Sequence, residues 1–387
     1  MYTTKQLKIG KTDRLDELAH LAGIVYTQIV VQFWRIVRHS NHWLTEYAMK
    51  RLIRNSGLHS QTVQALVEMF YEAMKTWQAN RKTDKNVRPP YKRKWYQSIP
   101  FKESAIRVKD GMLILSTGKG NEPFSIPWKY EKPKFCEISF NGKEYVINAT
   151  YAMAEPIHVQ GEGVAGIDLG EIHPVTVDTG KRVIIANGKK LRSKRRYQNK
   201  VKAHFQSQMD KCKKYSRRWK RLNKAKQRIL TKLNNQIKDI LHKQTTAIVC
   251  TMKEDGVQKV GIGDLKNIRR NSDYGAKVNQ KIHQMPVGEV RRMLTYKARR
   301  LGMEVETVNE AYSSQTCPKC LKLNKTSDRN YKCEHCGLEY HRDGVGAVNI
   351  RSKTKYQKYV SVVGDMIPPV GMRLDAGFRC TSVAKVA

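Results

Sequence analysis

The sequence predicts an α+β protein of several domains, and three observations carry that reading. Apolar residues recur at three- and four-residue steps between positions 15 and 77, and the period switches to two between 99 and 151. The C-terminal half then alternates short apolar strands with helical segments around two C-x-x-C pairs. A length of 387 residues exceeds one ordinary core, so two or three domains are expected, each large enough to fold without disulfides.

The first elements are helical. Leu15, Leu18, Ala22, Val25 and Ile29 form one apolar stripe, and Val63, Leu66, Phe70, Met74 and Trp77 form a second, which predicts packed helices over residues 15–84. Residues 21–34 are the most apolar stretch, but Thr27, Gln28 and Gln32 interrupt it and Arg35 ends it. It falls short of the roughly 20 residues a membrane span needs and reads as a buried helix. Residues 82–90 are polar, basic and closed by two prolines, as in a linker or a loop that tracks nucleic acid. Beyond them, Asp110-Gly111 and Asn141-Gly142 suit two-residue hairpin turns between alternating strands, so residues 1–14 and 85–160 are assigned to a small β-barrel or sheet. The N-terminus lacks the cationic and apolar regions of a signal peptide, and a cytoplasmic, nucleoid-associated, prokaryotic protein is expected.

In the second half, residues 164–170 read as a strand ending in a carboxylate, Asp168, then a glycine. Strands follow near 175–177 and 182–185, near 259–262 and at 304–308, with a helix over 287–301. An α/β domain is placed at 161–311 and 338–370, interrupted by a cysteine module at 312–337 and followed by a tail at 371–387. Between 189 and 228 lie eighteen Lys or Arg and one acid, Asp210, interleaved with Tyr197, Phe205, Tyr215 and Trp219. This predicts a basic helix or helical hairpin reaching about residue 250.

Charge decides the partner class. With 73 Lys and Arg against 34 Asp and Glu, the net charge is +39, and such a surplus repels itself unless a polyanion neutralises it. Nucleic acid is that polyanion, ahead of a ribosomal-type structural role or a basic membrane surface. The phosphate contacts are assigned to Lys194, Arg195, Arg196, Lys213, Lys214, Arg217, Arg218, Lys220 and Arg221.

Four of the eight cysteines form a C-x2-C-x12-C-x2-C array, Cys317, Cys320, Cys333 and Cys336. Each knuckle can present two thiolates to one side of a tetrahedral ion, so one structural zinc is expected, closed to substrate. Redox-active pairs are the competing reading, and His335 is a conceivable alternative ligand. Cys136, Cys212, Cys250 and Cys380 are scattered, which suits a reducing compartment better than a disulfide framework.

Just past that module, Asp343 precedes Gly344, Gly346 and a helical Ala347-Val348-Asn349-Ile350. Alone it could be a helix cap. With Asp168 at a strand end it becomes a candidate metal ligand, because phosphodiester hydrolysis by two Mg2+ ions needs several convergent carboxylates. A third acid is then required.

At this point the chain resembles a known family. Gly166-Ile167-Asp168-Leu169-Gly170, Tyr312-Ser313-Ser314-Gln315-Thr316, the cysteine array, and Arg342-Asp343 with Gly346-Ala347-Val348-Asn349-Ile350 are similar to the RuvC-I, zinc-finger and RuvC-III motifs of the transposon-encoded TnpB (OrfB) nucleases and of the miniature type V CRISPR effectors. The resemblance implies an RNase H-like (RuvC) nuclease domain with an inserted zinc ribbon, preceded by a helical recognition domain and a wedge-like barrel. It implies an RNA-guided DNA endonuclease with a guide RNA from its own locus, double-stranded target DNA, no membrane partner, two catalytic Mg2+ and one structural Zn2+. The family's second acid, a Glu at the end of the fourth strand, is replaced here by Gly263, ahead of Asp264. The related Fanzors resemble this chain in supplying an acid from the next strand, which implies Glu310, with Glu289 and Asp264 as weaker candidates. The alternatives are a nuclease-inactive guided repressor or a type V effector, whereas no recombinase signature supports a transposase chemistry.

Overall fold

The computed structural model of the protein describes residues 2–53, 57–156, 161–265, 275–326, 328–362, 364 and 366–372. It divides into two compact units, Met1–Glu155 and Pro156–Ala387.

In the first unit, α1 (Asp13–Ser40), α2 (Glu46–Leu52) and α3 (Ser60–Arg81) accompany seven strands: β1 (Tyr2–Ile9), β2 (Ile99–Lys102), β3 (Ile106–Lys109), β4 (Met112–Leu115), β5 (Phe124–Pro127), β6 (Phe135–Phe140) and β7 (Tyr145–Ala152). Helix α1 starts where Thr12 accepts a hydrogen bond from the Leu15 amide, with Asp13 and Asp16 at the positive end of the helix dipole. It stops at Asn41, which takes the left-handed conformation. Both stripes read from the sequence are buried in one apolar core with Phe33, Phe101 and Ile147. The strands pair as two antiparallel sheets, β1-β7-β6-β2 and β3-β4-β5. Asp110 and Gly111 both have positive φ, as the two-residue turn between β3 and β4 requires. The second turn differs from expectation. The Asn141 amide donates to Glu144 O and its side-chain oxygen accepts from the Lys143 and Glu144 amides, so an Asx-type loop joins β6 to β7.

The second unit holds β8 (Gly163–Asp168), β9 (Thr176–Asp178), β10 (Val183–Ala186), α4 (Lys189–Asp210), α5 (Arg217–Glu254), β11 (Val257–Gly263), α6 (Ala276–Gln284), α7 (Val287–Arg300), β12 (Glu304–Val308), β13 (Asn330–Lys332), β14 (Glu339–His341), α8 (Arg342–Tyr356) and β15 (Pro369–Met372). Its main sheet has the order β12-β11-β8-β9-β10-β15, with β11 parallel to β8 and β12 and with β9 antiparallel to both its neighbours. The basic segment is a helical hairpin, α4 against α5. From residue 373 the expected tail lies outside the described residues, and Pro369–Met372 joins the sheet beside β10 as an edge strand. Among the described residues no helix is long and apolar enough to cross a membrane.

Helix α8 lies across β8, β9 and β11. Its close approach explains two glycines that are register partners, Gly166 on β8 and Gly261 on β11. A Cβ on Gly166 would meet the backbone of Ala347 and Arg351, and one on Gly261 would overlap the Thr354 hydroxyl. An ion pair between half-buried Arg351 and buried Asp178 ties the helix to the sheet, with Arg351 Nε 2.6 Å from Oδ2 of Asp178 at the end of β9. Breaking such a pair one-sidedly is costly because it strands the other charge.

Gly166→Ala is therefore expected to destabilise the protein by roughly 1–3 kcal/mol, the usual range for overpacking. Gly288→Ala in α7, where an added Cβ meets nothing within 4 Å, should leave stability unchanged or raise it by up to about 1 kcal/mol. Urea midpoints of the two variants in the full chain measure the contrast, and equal midpoints would contradict the packing account.

Candidate metal centres

The four cysteines meet as their spacing suggests. Cys317 and Cys336 Sγ are 3.6 Å apart, as are Cys320 and Cys333 Sγ, and all four lie within 4.8 Å of one another. A tetrahedral ion with bonds of about 2.3 Å needs thiolates about 3.8 Å apart, whereas a disulfide needs about 2.05 Å. The cluster fits a tetrahedral metal and has no disulfide geometry. His335 is outside it. Tyr331, fully buried, packs with Cys317, Cys333 and Val345 beneath the cluster.

The three acids come from three elements: Asp168 ends β8, Glu310 lies two residues past β12, and Asp343 sits in the first turn of α8. Asp168 packs against α8 where Gly346 leaves room, since a Cβ there would stand 3.0 Å from Asp168 Oδ2. Glu310 fills the space over Gly263 at the end of β11. A Cβ on Gly263 would collide with Glu310 Oε2 and come within 3.0 Å of Ile350 Cδ1. That Oε2 is buried and has no hydrogen-bond partner among the described residues.

Electrostatics registers the convergence. Burial, then the charges of Asp343 and Glu310, push the Asp168 carboxyl up to about 8. Burial, then the charge of Asp264, push Glu310 up to about 7. Asp343 differs: burial would raise it, but the hydrogen bond with His173 and the Arg329 guanidinium outweigh burial and hold it below its usual range. His173 Nδ1 is 2.6 Å and Arg329 Nη1 is 2.8 Å from Asp343 Oδ2. The three acids do not bring an oxygen each within 4.8 Å of the others; His173, His341 and Asp343 do form such a group.

The weaker candidates have other engagements. Asp264 Oδ1 accepts from Arg291 Nη1 at 2.9 Å. Glu289, in the first turn of α7, bears on Arg195 and His242 and shifts none of the three acids.

On the helical hairpin, Arg196, Lys213, Lys214, Arg217, Arg218, Lys220 and Arg221 are exposed. Lys194 and Arg195 are half-buried, and burial lowers the Arg195 guanidinium from its ordinary value. Tyr197 and Tyr215 stay exposed, while Trp219 packs edge-on against Tyr215 at 5.3 Å. Sequence reasoning missed His173, Arg329 and His341 as neighbours of Asp343. His173 lies five residues past Asp168 and His341 two before Asp343, so proximity in the chain was the available signal.

Residues 145–269 match the family model OrfB_IS605, described as a probable transposase, and residues 288–350 match the Cas12f1-like TNB domain. A protein of Escherichia coli K12 named as the RNA-guided DNA endonuclease InsQ is 29% identical over 221 residues, 54% of this chain and 53% of that protein. A TnpB-like protein of Methanocaldococcus jannaschii is 30% identical over 122 residues, 31% of this chain and 44% of that one. The matches thus span about half or less of these relatives. Among solved structures, a Cas12f1 complex with sgRNA and target DNA aligns at TM-score 0.57 and 14% identity, covering 87% of this chain and 82% of that one, a likeness of fold alone.

The raised carboxyls carry a pH dependence. Protons that Asp168 releases near 3.8 when unfolded are held to about 8 when folded, so metal-free stability should fall as pH rises between those values. In Mg2+-free buffer the melting temperature of Asp168→Asn should decline less from pH 5 to 8 than that of the native protein. Parallel profiles would contradict the convergence of charge.

Proposed function

We propose that this chain, a relative of the TnpB-like proteins and of the compact Cas12f-type effectors, is an RNA-guided DNA endonuclease with a RuvC-type, metal-dependent site formed by Asp168, Glu310 and Asp343. The observation that carries this reading is the Glu310 carboxylate seated over Gly263, where it faces the end of β11 with a buried oxygen that has no hydrogen-bond partner among the described residues. An acid missing from one strand is supplied from the neighbouring strand into the same volume. The sheet supports the assignment: β10-β9-β8-β11-β12, with only β9 reversed, is the order and polarity of an RNase H-like sheet.

Divalent magnesium, when bound, supplies charge neutralisation of the attacking and leaving oxygens of the phosphodiester. The residues fit that ion by the chemistry of their donors, three carboxylates at the edge of one sheet, two of them raised by burial and by neighbouring carboxylates. Asp168 is held by β8, Asp343 by the first turn of α8, and His173 and Arg329 fix the Asp343 carboxylate through Oδ2. The four-cysteine cluster holds a structural zinc that shapes the segment carrying Arg329.

The exposed cations of α4 and α5 grip phosphate, and a guide RNA transcribed from the protein's own locus reads the target by base pairing while the protein reads duplex shape. The first unit, with its helices and two sheets, serves as the recognition and wedge region. In domain terms, residues 15–84 form the recognition part, 161–311 and 338–370 the nuclease, and 312–337 the ribbon.

In a cleavage assay with guide RNA and matched DNA, Asp168→Ala, Glu310→Ala and Asp343→Ala should each lower cutting by at least about 100-fold, as loss of a preorganised charge partner does. Gly263→Glu combined with Glu310→Ala should restore part of the activity, because the acid then returns from β11 into the space Glu310 vacated. Full activity of Glu310→Ala alone would remove Glu310 from the site. Full activity of Asp168→Ala would end the nuclease reading.

A further inference from the structure

We propose that His173 and His341, together with the Asp343 carboxylate they share with the acid centre, form a second binding site for a transition-metal ion, occupied by the Arg329 guanidinium while the metal is absent. Each of the three offers a ligand atom within 4.8 Å of the other two, which Asp168, Glu310 and Asp343 do not. The two imidazole rings lie 5.2 Å apart, inclined at 59°. Two nitrogens and one oxygen are a donor set suited to Zn2+, Co2+ or Mn2+ and poorly suited to Mg2+, which prefers oxygen throughout.

A cationic group already sits where the ion would go. Arg329 Nη1 is 2.8 Å from Asp343 Oδ2 and 3.4 Å from His173 Nδ1. It comes from the cysteine module, one residue before β13, and its side chain is 43% exposed, so it can withdraw into solvent. Binding is a balanced exchange. The imidazole proton that bridges His173 Nδ1 and Asp343 Oδ2 moves to Nε2 of the same ring, which frees Nδ1 as a ligand, and the ion displaces the guanidinium. His341 gives up a long 3.2 Å cap, in which its Nδ1 accepts from the Asp343 amide, for a metal–nitrogen bond. The ligands come from the loop after β8 and from the junction of β14 with α8, both held by the same sheet and helix.

The inference stands on these residues and needs no cleavage activity, so it can fail without the nuclease reading failing. The full chain is loaded with excess Zn2+, desalted and analysed for metal content. Two zinc ions per chain are expected, falling to one in His173→Ala and in His341→Ala. Arg329→Gln should bind the second ion about tenfold more tightly, since its competitor is gone. One zinc per chain in both the native protein and Arg329→Gln would overturn the site, as would two that neither histidine substitution reduces. Cobalt substitution of the unmutated protein tests the point without a variant. The four-thiolate site gives thiolate charge-transfer absorption, and the second equivalent of Co2+ should add d–d bands with no further charge transfer. A second equivalent that leaves the spectrum unchanged would equally overturn it.

Discussion

Everything at the candidate centre depends on how closely α8 lies on β8 and β11. Two glycines in register, Gly166 and Gly261, remove the side chains that would hold the helix off the sheet. The Arg351–Asp178 pair ties it to the sheet. From that contact the rest follows. The helix N-terminus carrying Asp343 arrives beside the end of β8, Asp168 packs against Gly346, and Ile350 backs the space that Glu310 fills. Close packing of backbone on backbone transmits position with little slack. The acids are consequently fixed by the core and not by the loops that bear them.

The same contact explains how one acid can be exchanged for another. With β12 parallel to β11 and Gly263 paired with Val308, a residue just past Val308 stands over the end of β11. A glutamate side chain is long enough to reach back into the volume a Gly263 side chain would occupy, so position 310 can present a carboxylate where position 263 has none. Gathering negative charge in a desolvated corner is unfavourable, and the raised Asp168 and Glu310 carboxyls register that cost. A site of this kind is stabilised by a cation.

Much of this was legible in the sequence because it is periodic or spaced. The stripe from Leu15 to Ile29, the strand Glu304–Val308 and the paired C-x-x-C knuckles are local patterns whose physical reading is nearly unique. The Asn141-Gly142 turn was misread because the Asn141 side chain can satisfy two backbone amides itself, which a dipeptide signal does not reveal. The environment of Asp343 was hidden for a different reason. Arg329 is 14 residues away and His173 is 170, and only the folded arrangement of the cysteine module and the loop after β8 puts both on one oxygen.

We propose that Asp168, Glu310 and Asp343 surround one divalent-cation centre. Fe2+ bound in place of Mg2+, with ascorbate and peroxide, generates radicals that cut the polypeptide beside the ion. Mapping those cuts in the full chain tests the claim directly. Scission near 168, 310 and 343 together, suppressed by excess Mg2+, is the expected result. Cuts near 343 that excess Mg2+ leaves unchanged, with none near 310, would contradict it.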